Sequence, residues 1–443
     1  MYCIAQEKPN DSSTKHKSPR FQEALQLPMK VAIIGAGVAG MTTAYELASQ
    51  NHEVSVFDRR GSSAEEGSFA NSGILSHYEN APWARAGMGW DIFSGAFKSY
   101  TATRLQKWRW HDLKWLRKCA ANNNSDSFGE HFRQLIKLSQ YSQACLQQLR
   151  QNLHLEYDQS NGHLVLLRDE EDEFSSEPVL EVLREVGSNF KILSEQEARL
   201  IEPALNPETP IHQAIYFPED EAGNCRQFTL LLKGVCEGLG VNFHFNSTVQ
   251  ALQAGKKPQV ILRDQSLSFD AVVVCAGLSS AALLKPLGIK LPQTTWQAYS
   301  ISASVREPMD APKSSVMDER YKVSISRLGQ RVRISGAREI GDNTKHQEVS
   351  LSMLYKVLDD WFPGAARIQD SIQVWKGAYP VLSDSKPVLG TARVPGVWLN
   401  MAHGLNAWTQ ACGSARIVSR QISDRQNEID VTGLGLDRYY KNS

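Results

Sequence analysis

The run Met29-Lys-Val-Ala-Ile-Ile-Gly35-Ala36-Gly37-Val38-Ala39-Gly40 constrains this chain more than any other stretch. Residues 29–34 are a short apolar run ending in glycine, the pattern of a strand buried on both faces of a parallel sheet. Gly40 opens a helical stretch over Met41–Ser49, and a second strand, Glu53–Phe57, ends at Asp58. A GxGxxG triplet alone arises by chance in loops. Here it follows a strand, opens a helix and has an acidic residue closing the next strand, so a bare turn without a ligand is the weaker reading. Gly35 permits the tight turn, Gly37 lets a pyrophosphate approach the backbone, and Gly40 lets helix and strand pack closely. The free N–H groups of the helix start, around Val38 and Ala39, favour phosphate. Asp58 is placed to accept hydrogen bonds from ribose hydroxyls.

Further along, a Gly/Ser/Ala-rich loop (Gly61–Gly73) leads to Ala81-Pro82-Trp83, and a basic, aromatic stretch runs from about Phe97 to Ala121. Asp126–Leu153 and Gln227–Leu239 read as helices, and His163–Leu167, Ala214–Phe217 and Val241–Phe245 as strands. Ala271–Gly277 and Gly396–Ala402 resemble the opening strand, each closing on or just before glycine. Between them Ala298–Val305, Lys322–Ser326 and Val332–Gly336 suit an antiparallel sheet. The expected fold is α/β, with an α+β substrate domain: a Rossmann-like nucleotide domain and an interleaved antiparallel-sheet domain. The nucleotide domain is expected from 29–96, 212–285 and 376–443, and the substrate domain from 97–211 and 286–375. Residues 1–28 are polar and lack the apolar core of a secretory signal, so they read as a disordered extension of a cytoplasmic protein.

At 443 residues the chain can bury two cores. Lys plus Arg and Asp plus Glu balance at 48 each, so no excess positive charge is available to grip nucleic acid. The 7 cysteines form no CxxC pair and have no histidine at ligand spacing, so they read as free thiols and no metal site is expected.

The loop after Asp58 (Arg59, Arg60, Ser68, Asn71, Ser72, Gly73) and the late Ala402-His403-Gly404 element favour FAD over NAD, because a flavin needs a second contact region near its ring. At this point the sequence resembles the D-amino acid dehydrogenase family, within the glycine oxidase/sarcosine oxidase superfamily of flavoproteins. The resemblance runs from Lys30 to about Tyr439 and rests on AIIGAGVAGMTTAYELASQNHEVSVFDRR, FANSGILS…APWA, LKWLRKC, YFPEDEAGNCRQFT, MDERYKVSISR, RVRISGAREIG, PVLG and AHGLNAWTQACGSA. It implies FAD contacts at Gly35, Gly37, Val38, Ala39, Gly40, Asp58, Arg59, Asn71, Ser72, Gly73, Val249, Ala276 and Gly277. It also implies contacts along the turn His403, Gly404, Leu405, Asn406, Ala407, Trp408 and Thr409, although His403 could equally cap that turn. The implied reaction is D-amino acid catabolism: hydride transfer from Cα to the flavin, then hydrolysis of the imine to a keto acid and ammonia.

The substrate side departs from the family pattern. Where its members carry Gly-Leu-Arg-Pro, this chain has Gly377-Ala378-Tyr379-Pro380, so the arginine that would hold a carboxylate is a tyrosine. Lys-Gly-Tyr-Ser reads Gln297-Ala298-Tyr299-Ser300, and Ser-Pro-Gly-Tyr reads Ser76-His77-Tyr78-Glu79. Either the site takes another amine, contacted by His77, Tyr78, Tyr299, Tyr321 or Tyr379, or a different cation such as Arg338 anchors the substrate. Residues 102–120, with Leu105, Trp108, Trp115 and Cys119 on one helical stripe beside basic residues, suit either a solvated helix or a peripheral membrane contact for electron delivery to a quinone. The leading expectation is an FAD-dependent dehydrogenase of a D-amino acid or related amine. An oxygen-using oxidase of the glycine/sarcosine type and a flavoprotein without catalysis remain open.

Overall fold

The computed structural model describes residues 27–82, 100–105, 110–122, 125–341, 346–369 and 372–440. Residues 1–26, and with them nearly all of the expected N-terminal extension, lie outside that range, as do Trp83 and Trp108. Lys30–Ile34 sits inside a six-stranded sheet, parallel to Glu53–Phe57 on one side and to Ala271–Val274 on the other. Asn242–His244 extends the sheet beyond Glu53–Phe57. Val397–Met401 and the antiparallel strand Val388–Thr391 extend it the other way. Strands distant in sequence are thus adjacent in space. Side-chain alternation explains the layering: Val31 and Ile33 join the core under the helices Val38–Ala48 and Ala407–Ile422, while Ala32 and Ile34 face the opposite core with Leu283 and Leu399.

The second sheet has ten strands; near one edge Gln293–Ser304 pairs antiparallel with both Arg331–Ile340 and Gln373–Leu382. It is mixed rather than wholly antiparallel, because Ser315–Asp318 runs parallel to Ser160–Leu167. Gln213–Ala222 belongs to this sheet, although 212–285 was expected with the nucleotide segments, and Gln373–Leu382 crosses the boundary expected at 376. The helix Ser125–Leu153, expected with the substrate segments, places Leu138, Cys145 and Leu149 in the core of the nucleotide half. Its amphipathic face is what the C-terminal helix covers.

The single helix expected over 102–120 is corrected. Thr103–Leu105 is a strand paired with Arg338–Ile340, and the helix spans Trp110–Asn122. Among its described apolar residues, Trp115 and Cys119 face inward and pack with Leu105, Trp296, Ile340 and Val381. Among the described residues no helix is long and apolar enough to cross a membrane. Six cysteines are described, all buried and none in a disulfide.

The crossing of Ser125–Leu153 and Ala407–Ile422 depends on one small residue. A Cβ added to Gly413 would lie 2.9 Å from Ser142 Cα, whereas one at Gly234 would meet nothing within 4 Å. Gly413→Val is therefore expected to lose about 3 kcal/mol through overpacking. Gly234→Val, on a helix face with open space, should stay within about 1 kcal/mol, since only helix propensity changes there. Urea denaturation curves of the two variants check the difference.

Candidate active site

The first strand delivers the chain to a turn that only glycine can make. Gly35 has φ +109°, and its N–H donates to Phe57 O at 2.8 Å. A Cβ there would lie 2.5 Å from Cys275 O. A Cβ on Gly40 would lie 1.8 Å from Gly35 O, so this residue serves the close approach of helix and turn. The helix that follows starts on Gly37 with no side-chain cap and no acidic residue in its first turn, leaving its positive end uncompensated. Val38 N–H donates to Ser68 Oγ at 3.0 Å, which ties the 61–73 loop to the helix start. Asp58 Oδ2 accepts from Ala36 N–H at 2.7 Å and Oδ1 from Arg60 N–H at 2.8 Å. Burial raises the Asp58 pKa, and those two hydrogen bonds pull it back down.

A cleft of about 1230 Å³ runs from this turn across the ends of the strands to the His403 turn. Gly35, Gly37, Val38, Ala39, Asp58, Arg59, Asn71, Val249, Ala276 and Gly277 line it, with His403, Gly404, Leu405 and Ala407 at its far end. This arrangement fits a long dinucleotide. An uncapped helix start and a glycine-walled turn meet the phosphates, a carboxylate stands at the ribose end, and a second uncapped helix start lies beyond the 404–406 turn. Ser72, Asn406 and Thr409 line an adjoining polar cavity instead. Gly40, Gly73 and Trp408 line neither. Gly73 packs on Gly223 O, where a Cβ would sit at 2.9 Å, and Trp408 is buried edge-on against Tyr157. In these three the expectation of direct contact gives way to a packing role.

The polar cavity, about 620 Å³, joins a larger one of about 1250 Å³ around Glu79, Lys322, Arg338, Leu405 and Asn406. Tyr299 and Tyr379 line the first, and Tyr78 lines the second. Arg338 reaches both through a bulge. The pairing of Gln293–Ser304 with Arg331–Ile340 shifts register between Gln297 and Tyr299, and Ala337 takes φ +51° opposite that shift. The extra residue turns the Arg338 side chain toward the cavity. Arg338 Nη2 donates to Glu79 Oε2 at 3.4 Å, and Lys322 pairs with Glu319. Asn80 fixes the turn that carries Glu79: its Oδ1 accepts from Gln410 Nε2 at 3.0 Å, with both side chains fully buried.

Two expected substrate contacts lie elsewhere. His77 turns away from the cavities to Ser139 and Gln143, at 2.8 and 3.1 Å. Tyr321 lines none of these cavities and packs against the core of the second sheet, its ring under Arg168 and Lys356. The chain reverses at Lys322, φ +49°, so the lysine takes the cavity side that was expected of the tyrosine before it. Gln297 is 5 % exposed within the sheet and lines none of these cavities, so its replacement of a lysine removes no charge from their walls. Glu79 and Lys322 were missed as site residues. The only sequence signal for Glu79 was the altered Ser76-His77-Tyr78-Glu79 stretch. No cluster able to hold a metal ion occurs among the described residues.

Residues 30–421 match a protein family described as FAD dependent oxidoreductase. The chain is 35% identical over 417 residues to a D-amino acid dehydrogenase of Rhizobium johnstonii, covering 93% of this chain and 100% of the relative. It is 36% identical over the same length to a D-amino acid dehydrogenase of Rhizobium rhizogenes, with equal coverage. In fold it is similar to the crystal structure of glycine oxidase from Geobacillus kaustophilus, with a TM-score of 0.73 at 17% identity, over 93% of this chain and 99% of that one.

Burial holds two histidines neutral in this region. His163 and His403 are 0% and 5% exposed, and each is pushed down to about 4. An unfolded histidine titrates near 6.5, so their contribution is complete above that pH. It is lost as pH falls toward 4, by about 1.4 kcal/mol per pH unit for each histidine. Asp220, whose buried carboxyl is pushed up to about 7, slopes the other way. The comparison with His163→Gln isolates the histidine: between pH 6.5 and 4.5 the urea midpoint of the variant should fall less than that of the parent.

Proposed function

We propose a reaction for this chain from the premise that it belongs to the FAD dependent oxidoreductase family. The chain is an FAD-dependent oxidoreductase acting on amino donors, and its substrate on our reading is a D-amino acid. FAD, when bound, supplies the oxidising chemistry by accepting hydride from the carbon that bears the nitrogen. The residues of this chain have three tasks: to hold the substrate beside that group, to orient it and to keep water out. The net change converts an amino acid and water to a keto acid and ammonium, with two electrons and two protons passing to the cofactor.

The observation that carries this reading is the pair of cations, Arg338 and Lys322, in the cavities adjoining the cleft. Tyr379, in the place of the resembled family's arginine, is buried and held neutral by burial, so it offers no charge to a carboxylate. Arg338 and Lys322 supply that charge from the facing wall, and Glu79 beside them complements an ammonium group. A zwitterion fits such a wall better than a simple amine does. Tyr78, Tyr299 and Tyr379 complete the polar wall. Phe128, Val179, Trp296 and Val381 in the larger cavity give room for an apolar side chain. The electron acceptor on this reading is a quinone or another small oxidant rather than oxygen.

Anaerobic addition of D-amino acids should bleach the flavin absorbance, while their L-enantiomers should not. No bleaching by any amino acid or amine would refute the reading, and rapid peroxide formation on admitting air would make the enzyme an oxidase. Arg338→Met should raise the half-saturating concentration of a D-amino acid about 10- to 100-fold, the worth of one charge-assisted hydrogen bond. The same variant should change that of a matched amine without a carboxylate by less than about threefold, because the lost bond is to the carboxylate.

A further inference from the structure

Amine oxidation by hydride transfer needs the nitrogen lone pair, yet amino acids reach an enzyme near neutral pH as ammonium ions. A group at the cavity wall must therefore take a proton before the carbon–hydrogen bond breaks. Glu79 is the carboxylate that lines both joined cavities. Its side chain is 17% exposed, and Oε2 stands 3.4 Å from Arg338 Nη2. The other oxygen, Oε1, is buried and has no hydrogen-bond partner among the described residues. It lies 4.0 Å from Nε2 of His163, which is equally buried and equally without one.

The polar network around His163 holds its ring in place. His163 Nδ1 lies 2.9 Å from Ser315 Oγ, a rotatable hydroxyl that also reaches Gly162 O at 3.3 Å, so the ring can present either a lone pair or an N–H at Nε2. A carboxylate oxygen and an imidazole nitrogen thus face each other, both atoms buried, at the back of a side chain whose other oxygen reaches the cavities. One proton between them gives both buried atoms a hydrogen-bond partner.

We propose that Glu79, backed by His163, takes the proton from the substrate ammonium group and so prepares the neutral amine for oxidation. The N–H bond breaks and its electron pair stays on nitrogen as the lone pair. The proton forms an O–H bond on Glu79, which turns toward His163 Nε2. Arg338 then loses its ion-pair partner and is free to hold the substrate carboxylate. After the product leaves, the proton returns to water. The role rests on the amino-acid reading of the site. Other charges face Glu79 from each packed element: Arg338 from Arg331–Ile340, His163 from Ser160–Leu167, Asp220 from Gln213–Ala222, and Glu319 and Lys322 from the 319–322 turn.

The test is anaerobic flavin bleaching by a D-amino acid from pH 6 to 10 with the parent protein, Glu79→Gln, Glu79→Asp and His163→Gln. The parent should keep its rate well below the pKa of the free ammonium. Glu79→Gln should lose about tenfold per pH unit below that pKa and return to within about threefold of the parent at pH 10, where free amine is abundant. Glu79→Asp should restore the parent profile in shape, and His163→Gln should shift the acid limb upward. A Glu79→Gln profile parallel to the parent at all pH values would overturn the proposal and leave Glu79 as the partner of Arg338 alone. If Glu79→Gln does not retain flavin on gel filtration, the acid limb of His163→Gln decides instead, and an unmoved limb overturns the proposal. A parent protein that no amino acid bleaches would refute the reaction itself, and this role with it.

Discussion

The contact of the Gly35–Gly40 turn with the end of the strand Ala271–Val274 is the constraint on which the rest of this molecule depends. Gly35 lies against Cys275 O, and Gly40 lies against Gly35 O, at separations that leave no room for a Cβ on either residue. Because helix and strand meet there without side chains between them, the helix N-terminus is brought to the carboxyl ends of the strands. A topological switch in a parallel sheet places ligands at that edge. The cleft therefore follows from backbone sterics before any polar contact is considered.

The cleft is completed by elements that arrive from far along the chain. Asn400 Nδ2 donates to Thr43 Oγ1 at 2.9 Å, and Thr42 Oγ1 donates to Ala411 O at 3.2 Å. These buried bonds dock the C-terminal strand and helix on the first helix, and so aim the His403–Ala407 turn at the cleft. The same helix, through Gln410 and Asn80, holds the turn that carries Glu79. Cofactor side and substrate side thus share one rigid support. A charge placed on the 78–80 turn keeps its distance from the cleft without needing a mobile loop.

Much of the nucleotide half was legible because its signals are local. A buried strand, a glycine turn, a helix and a closing acidic residue lie within residues 29–58, and each has a backbone or capping reason to recur in that order. Val249 and Ala276 were legible only through resemblance. On the substrate side, the altered residues at 76–79, 297 and 379 were visible, but their consequences were not. Gln297 lost a family lysine yet sits inside the sheet. His77 is a new polar residue that bonds to a helix behind the site. Tyr321 and Lys322 are neighbours whose destinations are separated by a single positive φ.

The sequence by itself determined the cofactor fold and the absence of an arginine at position 379. Glycine sterics and strand hydrophobicity act over a few residues, so they can be read along the chain. Only the tertiary structure decided which charges replace that arginine. A bulge opposite Gln297–Tyr299 swings Arg338 into the cavity, and a reversal at Lys322 adds a second cation. The packing of three strands brings Glu79 against His163, more than eighty residues away. Side-chain direction at a bulge or a reversal depends on pairing with a distant strand, and no local pattern in the sequence carries that information.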